Sequence, residues 1–466
     1  METAARIPRI VIAATSSGAG KTTATVALIA ALRGRGLKVA PFKCGPDYLD
    51  PSYHARAAHR TSHNLDGWMM GREAVLATFT RAARGADIAV IEGMMGLYDG
   101  ATPTADEGST AEIAKWLSAP VILTIDASGM ARSIAAVATG FARFDPALRL
   151  AGLICNRVGS RGHLDLLRAA IPEIPVLGGL PENSAAAFPE RHLGLFSADE
   201  NSVPDASFQA WGALAAQWFE LDAMVAIAGT APGIGEATAA LADPPRESAP
   251  RCRIGIAYDD AFNFYYEYNL ALLEALGAEL VRFSPVRDGA LPGTFDGLYF
   301  GGGYPEIAAR GLSANHAMLD AVRAFAACAN PIYAECGGLM YLSQAIRTLD
   351  GTRFPMAGLI AGDAVMHDRL QALGYAEVET RALSILGPAA TRWRGHQFRY
   401  STLEPAPPQE TQRLYTVSPR WSGPPFAEGY RTGSVIASYV HAHWASNPAV
   451  ASAFVAACIK ARERRR

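Results

Sequence analysis

The chain has 466 residues, of which half are hydrophobic and 18% charged, and its formal net charge is −2. That length exceeds one ordinary core and divides naturally into two domains of roughly 200 residues. The charge balance offers no electrostatic basis for binding nucleic acid or a membrane surface, and no apolar run approaches the ~18 residues of a membrane span.

From Met1 to Ile10 there is no long apolar segment with a small-residue cleavage site, so no secretory signal is read there. Short β-rich runs follow at Arg9–Ala14, Lys38–Lys43, Ile88–Ile91, Val121–Ile125 and Gly152–Ile154. Helical stretches such as Thr22–Leu32 and Thr110–Leu117 lie between them. This alternation predicts an α/β fold, a doubly wound parallel sheet with helices on both faces. Ligands gather at the carboxyl ends of such strands. From Val225 to Arg251, Gly, Pro, Ala and small polar residues take over, and Pro244-Pro245 would end any helix. The expected division is a first domain over 1–224, a linker over 225–251 and a second domain over 252–466. The second domain opens with a strand at Arg253–Ala257 and a helix ending near Gly277. Strands at Glu279–Phe283, Gly297–Phe300 and Pro331–Ala334 come next. Tyr375–Thr380, Gln397–Leu403 and Arg413–Ser418 complete a mixed sheet.

Thr15-Ser-Ser-Gly-Ala-Gly-Lys-Thr22 follows the first strand and opens a helix. Backbone N–H groups of such a turn point at phosphate oxygens, and the helix N-terminus adds favourable potential. Gly18, Gly20, Lys21, Thr22 and Thr23 are therefore the candidate nucleotide-binding residues, with Lys21 on the outer phosphates and the Thr22 hydroxyl on Mg²⁺. Thr15 stands where such loops usually begin with glycine. A Gly/Ser turn that merely caps a helix is the competing reading.

Asp47 lies just beyond the second strand and Glu92 ends the third. One hydroxyl and two carboxylates suit Mg²⁺, which prefers oxygen ligands. For either acid alone a structural cap competes with a ligand role. Asp99 either positions substrate or ammonia, or forms a turn with Gly100. Lys43 either neutralises charge on a transferred phosphate or is a solvated strand-end lysine. His54, His59 and His63 do not share one helical face and are read as a polar loop.

The six cysteines are scattered without a paired spacing, which fits neither a disulfide framework nor a zinc module. A cytoplasmic enzyme with free thiols is expected. Ala334-Glu-Cys-Gly-Gly338 follows a β-rich run, and its small residues around Cys336 suit a sharp strand-to-helix elbow. A helix N-terminus and a nearby imidazole would favour the thiolate. Gly301-Gly-Gly-Tyr-Pro-Glu306 follows another strand. The N–H groups of Gly302 and Gly303, joined by that of Gly337, could bind an oxyanion. Far downstream, His441 and His443 share one strand face if extended. His441 is the favoured base, and the other histidine is structural or binds substrate. Cys44, Cys155, Cys252, Cys328 and Cys458 lack this setting and are read as structural.

Several long motifs in this order resemble the cobyrinic acid a,c-diamide synthase family, corrin-ring amidases of cobalamin biosynthesis. They are the Thr15–Thr22 loop, Phe42-Lys-Cys-Gly-Pro-Asp-Tyr-Leu-Asp-Pro51, Asn64-Leu-Asp-Gly-Trp68, Glu92-Gly-Met-Met-Gly-Leu-Tyr-Asp-Gly100, Gly301–Glu306, Glu335-Cys-Gly-Gly-Leu-Met-Tyr341 and Arg394-Gly-His-Gln-Phe-Arg-Tyr-Ser401. The resemblance covers nearly the whole chain. It implies a P-loop domain similar to dethiobiotin synthetase, joined to a class I glutamine amidotransferase-like domain. By that resemblance Thr22, Asp47 and Glu92 are Mg²⁺ ligands, and Asn156 and Arg157 stand where the family contacts adenine. Many class I enzymes carry a glutamate two residues after the histidine, where this chain has His443. Ala334 replaces the commoner elbow glycine. The family works with a Cys–His pair, which fits the first departure.

The implied reaction is ATP- and glutamine-dependent amidation of the a and c carboxylates of cobyrinic acid, or metal-free hydrogenobyrinic acid, through acyl phosphates. A homodimer is the expected assembly. One alternative is amidation of another tetrapyrrole, such as a sirohydrochlorin derivative, or the cobyric acid synthase reaction. Gly45–Asp50 and the Met94-Met95 loop speak against the latter. A regulatory P-loop ATPase with an amidotransferase-like binding module is the alternative of a different class. That type usually has a second P-loop lysine where Ser16 stands here.

Overall fold

The computed structural model describes residues 6–182, 203–234, 250–405, 412–421 and 423–465. It forms two compact units, Met1–Asp243 and Pro244–Arg466. Both are α/β, the first on a parallel sheet and the second on a mixed one.

Strands of the first unit are β1 (Arg9–Ala14), β2 (Val39–Cys44), β3 (His63–Leu65), β4 (Ile88–Glu92), β5 (Val121–Asp126), β6 (Leu150–Val158) and β7 (Val176–Pro181). They lie in the order β3-β2-β4-β1-β5-β6-β7, and every pairing is parallel. All six residues of β1, Arg-Ile-Val-Ile-Ala-Ala, are buried. Helices cover both faces of such a sheet, so its strands read as continuous apolar runs rather than alternating ones. Helices α1 (Lys21–Gly34), α2 (Leu49–Ala58), α3 (Gly67–Ala82) and α4 (Thr110–Trp116) follow successive strands. Local chemistry sets their starts: Asp66 accepts from the Met69 N–H before α3, and Ser109 from the Glu112 N–H before α4. Each such cap satisfies a donor the helix itself cannot. The register puts Lys43 beside Glu92 and Ile12 beside Glu92. The ends of β2 and β4 thus meet beside the turn that leaves β1.

Helices α5 (Ser133–Phe144) and α6 (Arg161–Ala170) follow β5 and β6, and after β7 come α7 (Asp205–Trp218) and α8 (Leu221–Ala228). Residues 225–228, assigned from the sequence to the linker, are the last turn of α8. Its apolar run Met224-Val-Ala-Ile-Ala228 packs on the core with Leu221, which composition alone did not separate from the small-residue stretch behind it. The Pro244-Pro245 pair lies outside the described residues.

The second unit has β8 (Cys252–Ala257), α9 (Glu267–Ala275), β9 (Ala278–Phe283), β10 (Gly297–Phe300), α10 (Ala309–Ala314), α11 (His316–Ala327), β11 (Ile332–Glu335) and α12 (Gly337–Leu342). There follow β12 (Ala345–Arg347), β13 (Arg353–Pro355), β14 (Asp363–Met366), β15 (Ala372–Thr380), β16 (Arg392–Arg399), β17 (Ser401–Glu404), β18 (Gln412–Pro419), β19 (Phe426–Thr432), β20 (Val435–Ser438), β21 (His441–His443) and α13 (Ala449–Arg464). Ten strands form one sheet, β21-β16-β15-β18-β19-β20-β11-β10-β8-β9, and β13-β12-β14-β17 form another. The run read as one strand over Gln397–Leu403 is two strands in different sheets, broken at Tyr400. Cores lie on both faces of the large sheet. Along β11, Ile332 and Ala334 enter one and Tyr333 the other, as the two-residue period of a strand requires.

Candidate active site

In the first unit the turn from β1 to α1 passes through Gly18 and Gly20, whose φ values are 78° and 96°. A Cβ on Gly20 would lie 2.1 Å from Nδ2 of Asn156. Both the left-handed backbone and the close approach therefore require glycine. Asn156 Nδ2 donates to the Ala19 carbonyl at 3.0 Å, so β6 braces the loop. Lys21 Nζ donates to Ser16 O at 3.2 Å and Met95 O at 2.5 Å. Burial, with Lys43 adding to it, lowers its ammonium to about 8. Thr23 is half-buried beside it in the first turn of α1.

Glu92 is the centre of a buried network. Its Oε1 accepts from Thr22 Oγ1 at 2.7 Å and Lys43 Nζ at 2.9 Å, and its Oε2 lies 2.5 Å from His54 Nε2. Lys43 also donates to Gly93 O at 3.0 Å and pairs with Asp50 at 2.8 Å. Burial would lower the Lys43 ammonium, yet Asp50 and Glu92 outweigh it and hold it above the ordinary lysine value. Lys43 is thus no solvated strand-end lysine. His54 is no loop residue either. It is buried on α2, four residues after Asp50 and so on the same helical face. Sequence reasoning missed both Asp50 and His54, although that spacing was the available signal.

Asp47 accepts from the Leu49 and Asp50 N–H groups at 2.8 and 3.0 Å, closing the turn into α2. Burial and neighbouring Asp50 push its carboxyl up to about 6. Thr22 and Glu92 meet directly, while Asp47 stands a step away, beside Asp50. Hydroxyl and carboxylate oxygens are the donors Mg²⁺ takes, usually with several waters retained, so the residues present fit that ion. Asp99 is exposed and accepts from the Gly96 N–H at 2.9 Å; its turn is made with Gly96, not Gly100. Arg157 has φ 55° and pairs with Asp126.

In the second unit Cys336 sits between β11 and α12 with φ 45° and ψ −100°. A non-glycine residue in that region is strained, and such strain collects at functional sites. Its N–H donates to Ser438 O at 2.7 Å, and the Gly338 N–H to Gly301 O at 3.0 Å. These bonds fix the elbow between β20 and the glycine loop. A Cβ on Gly337 would come within 3.0 Å of Gly303 N, and one on Gly302 within 2.3 Å of His441 Cε1. Cysteine elbow, glycine loop and His441 are therefore contiguous. His441 is buried on β21, and its ring stacks on that of His396 at 4.9 Å. His396, part of the Arg394–Ser401 motif but given no role from the sequence, also lies 3.0 Å from Tyr266 Oη through Nδ1. His443 packs against Tyr266 and Tyr268 at 4.5 and 5.4 Å.

The thiol does not behave as the sequence suggested. Burial, with Glu306 adding to it and Arg399 opposing, pushes Cys336 up to about 12. Burial also drives His441 down to about 3. Both groups are neutral in the free site, because desolvation outweighs the short α12 and the imidazole. Cys44, Cys155, Cys252 and Cys458 are buried as expected, whereas Cys328, past the end of α11, is exposed.

A parallel-sheet unit with a P-loop, followed by a mixed-sheet unit with a cysteine elbow, defines a nucleotide-binding unit fused to a glutamine amidotransferase unit. Residues 10–195 match the profile of the CobQ/CobB/MinD/ParA nucleotide binding domain, and residues 253–449 that of the CobB/CobQ-like glutamine amidotransferase domain. "Cobyrinate a,c-diamide synthase" of Leptospira interrogans is 51% identical over 98% of this chain and 99% of its own. The protein of that name from Syntrophotalea carbinolica is 48% identical over 97% and 98%. "Hydrogenobyrinate a,c-diamide synthase" of Streptomyces coelicolor is 42% identical over 97% and 98%. The chain belongs to the cobyrinate a,c-diamide synthase family.

Proposed function

We propose that the chain amidates the a and c carboxylates of a corrin ring, cobyrinic acid or hydrogenobyrinic acid, using ATP and glutamine. The observation that carries this reading is the presence, in one chain of that family, of both a Thr22–Glu92–Lys43 phosphate site and a Cys336–His441 elbow. A carboxylate is a poor electrophile, because its charge is delocalised and its leaving group would be oxide. Transfer of the γ-phosphoryl group of ATP turns it into an acyl phosphate and releases ADP. Ammonia then forms the C–N bond, and phosphate leaves.

The N–H groups of the Gly18–Gly20 turn and Lys21 bind the phosphates, while Lys43 faces charge developing on the transferred group. Thr22, Glu92 and Asp47 would hold Mg²⁺, which when bound screens the phosphate charge. Asn156 and Arg157 would contact the base, Thr23 in the first turn of α1 would help hold the phosphates, and the exposed Asp99 would position the acceptor or ammonia. At the second site the Cys336 sulfur attacks the glutamine amide carbon as its proton passes to His441. The Gly302, Gly303 and Gly337 N–H groups face the resulting oxyanion. His441 returns the proton to departing ammonia, and water then cleaves the thioester to glutamate. Among the described residues no helix is long and apolar enough to cross a membrane. A homodimer working in the cytoplasm completes the reading, with a first domain that includes all of α8 to Ala228 and a second that opens at Cys252.

The test is direct. The protein is incubated with ATP, Mg²⁺, glutamine and each candidate tetrapyrrole, and added amides are counted by mass. Two amides on cobyrinic or hydrogenobyrinic acid are expected. Cys336→Ser should abolish the glutamine-driven reaction and spare the ammonia-driven one; equal loss of both would sink the two-site scheme.

A further inference from the structure

Glu335 directly precedes the elbow cysteine, yet its side chain points into the opposite core, with Tyr333 two residues earlier. It is 1% exposed. Three donors meet its carboxylate: Tyr299 Oη at 3.0 Å, Tyr333 Oη at 2.7 Å and the Ala442 N–H at 2.9 Å. Ala442 stands between His441 and His443. Its carbonyl accepts from Asn269 Nδ2 at 2.8 Å, and Asn269 Oδ1 accepts from the Trp444 N–H at 2.9 Å. The histidine strand is thus held along its backbone by two buried side chains.

The sheet alone would hold it weakly. Strand β21 has three residues, lies at the sheet edge and, among the described residues, pairs only with β16. Five strands lie between β21 and β11 in the sheet order, so no ladder joins the histidine strand directly to the cysteine strand. The Glu335–Ala442 bond crosses straight between them. Burying a carboxyl group costs free energy unless its oxygens are bonded, and here each oxygen is. Position 443, two after His441, carries an imidazole packed between tyrosines, so it supplies no carboxylate to orient the base.

We propose that Glu335 is the positioning residue of the glutamine site. Braced by Tyr299 and Tyr333, it grips the Ala442 N–H and so sets where the His441 imidazole stands relative to the Cys336 sulfur. The inference rests on the Cys336–His441 reading. It assigns to the backbone beside the base the orienting work that a carboxylate on the imidazole would otherwise do.

Three variants test it by glutamine hydrolysis, measured below each variant's melting transition. Glu335→Leu removes the acceptor, Glu335→Asp withdraws it by one methylene, and Glu335→Gln keeps an oxygen in reach. Because a misplacement of about 1 Å can cost on the order of a hundredfold in rate, Leu and Asp should lower kcat by between about tenfold and a hundredfold. KM for glutamine should stay within about twofold and Gln within about threefold of wild-type kcat, since neither binding nor charge is at stake. Wild-type kcat in Leu or Asp, an equal loss in Gln, or a change confined to KM would overturn the proposal. If Leu has no melting transition, the contrast between Asp and Gln decides. A wild-type chain without glutaminase activity, or activity retained in Cys336→Ser, would instead defeat the Cys–His reading itself.

Discussion

Gly302→Ala is the sharpest probe of the glutamine site. A Cβ at that position would lie 2.3 Å from His441 Cε1, 3.1 Å from Nδ1 and 3.3 Å from Phe264 Cβ. Carbon atoms pack at about 3.5 Å, so the ring must retreat by about 1 Å. Gly302 is not among the glycines with positive φ, so alanine adds no backbone strain and the collision is the whole perturbation. Overpacking of this kind costs about 1–3 kcal/mol of stability. A displacement of about 1 Å in a reacting group costs on the order of a hundredfold in rate, equivalent to about 2.7 kcal/mol of barrier. The assay is glutamate release with glutamine saturating, set beside ammonia-driven amidation. Glutamate release should fall by that factor while the ammonia-driven rate is kept. Gly289→Ala, where a Cβ meets nothing within 4 Å, should change neither. Wild-type glutaminase turnover in Gly302→Ala would show that His441 is not the base.

Two further outcomes are expected. Glu92→Gln removes the charge that faces Lys43, Thr22 and His54. ATP-dependent amidation should drop at least about tenfold and the first unit lose about 3 kcal/mol or more of stability, while glutamine hydrolysis is unchanged; undiminished amidation would take Glu92 out of the phosphate site. The pH profile of glutaminase kcat/KM reports groups of the free enzyme. Because burial depresses His441 to about 3, its imidazole stays neutral as the pH falls through the ordinary histidine value of about 6.5. No acid-side loss should centre there, and a titration near that pH that disappears in His441→Gln would contradict this account.

Much of the framework was legible because short-range physics decides it. Strand β1 is buried on both faces and reads as a continuous apolar run. The P-loop is a contiguous string whose glycines answer to local backbone demands. The cysteine elbow likewise announces itself through small residues on either side of Cys336. What sequence could not display were pairings between distant positions. His54 reads as one polar residue among three irregularly spaced histidines until Glu92, 38 residues away, is seen against it. Glu335 was hidden by its neighbour, since nothing local says that its carboxylate reaches Ala442, 107 residues later. The thiolate expectation failed for a related reason. A helix start and an imidazole are visible in sequence, but the desolvation that overrides them belongs to the packed core.

The protonated thiol of Cys336 bears on how long the protein stays intact. Peroxide and electrophiles attack thiolates far faster than thiols, and access governs the rest. Cys336 is buried, and burial pushes its thiol well above the ordinary value, which keeps the thiolate scarce between turnovers. The group that must be most reactive during the cycle is thereby among the least vulnerable while idle. Durability against oxidants then originates in the dry environment of a single side chain.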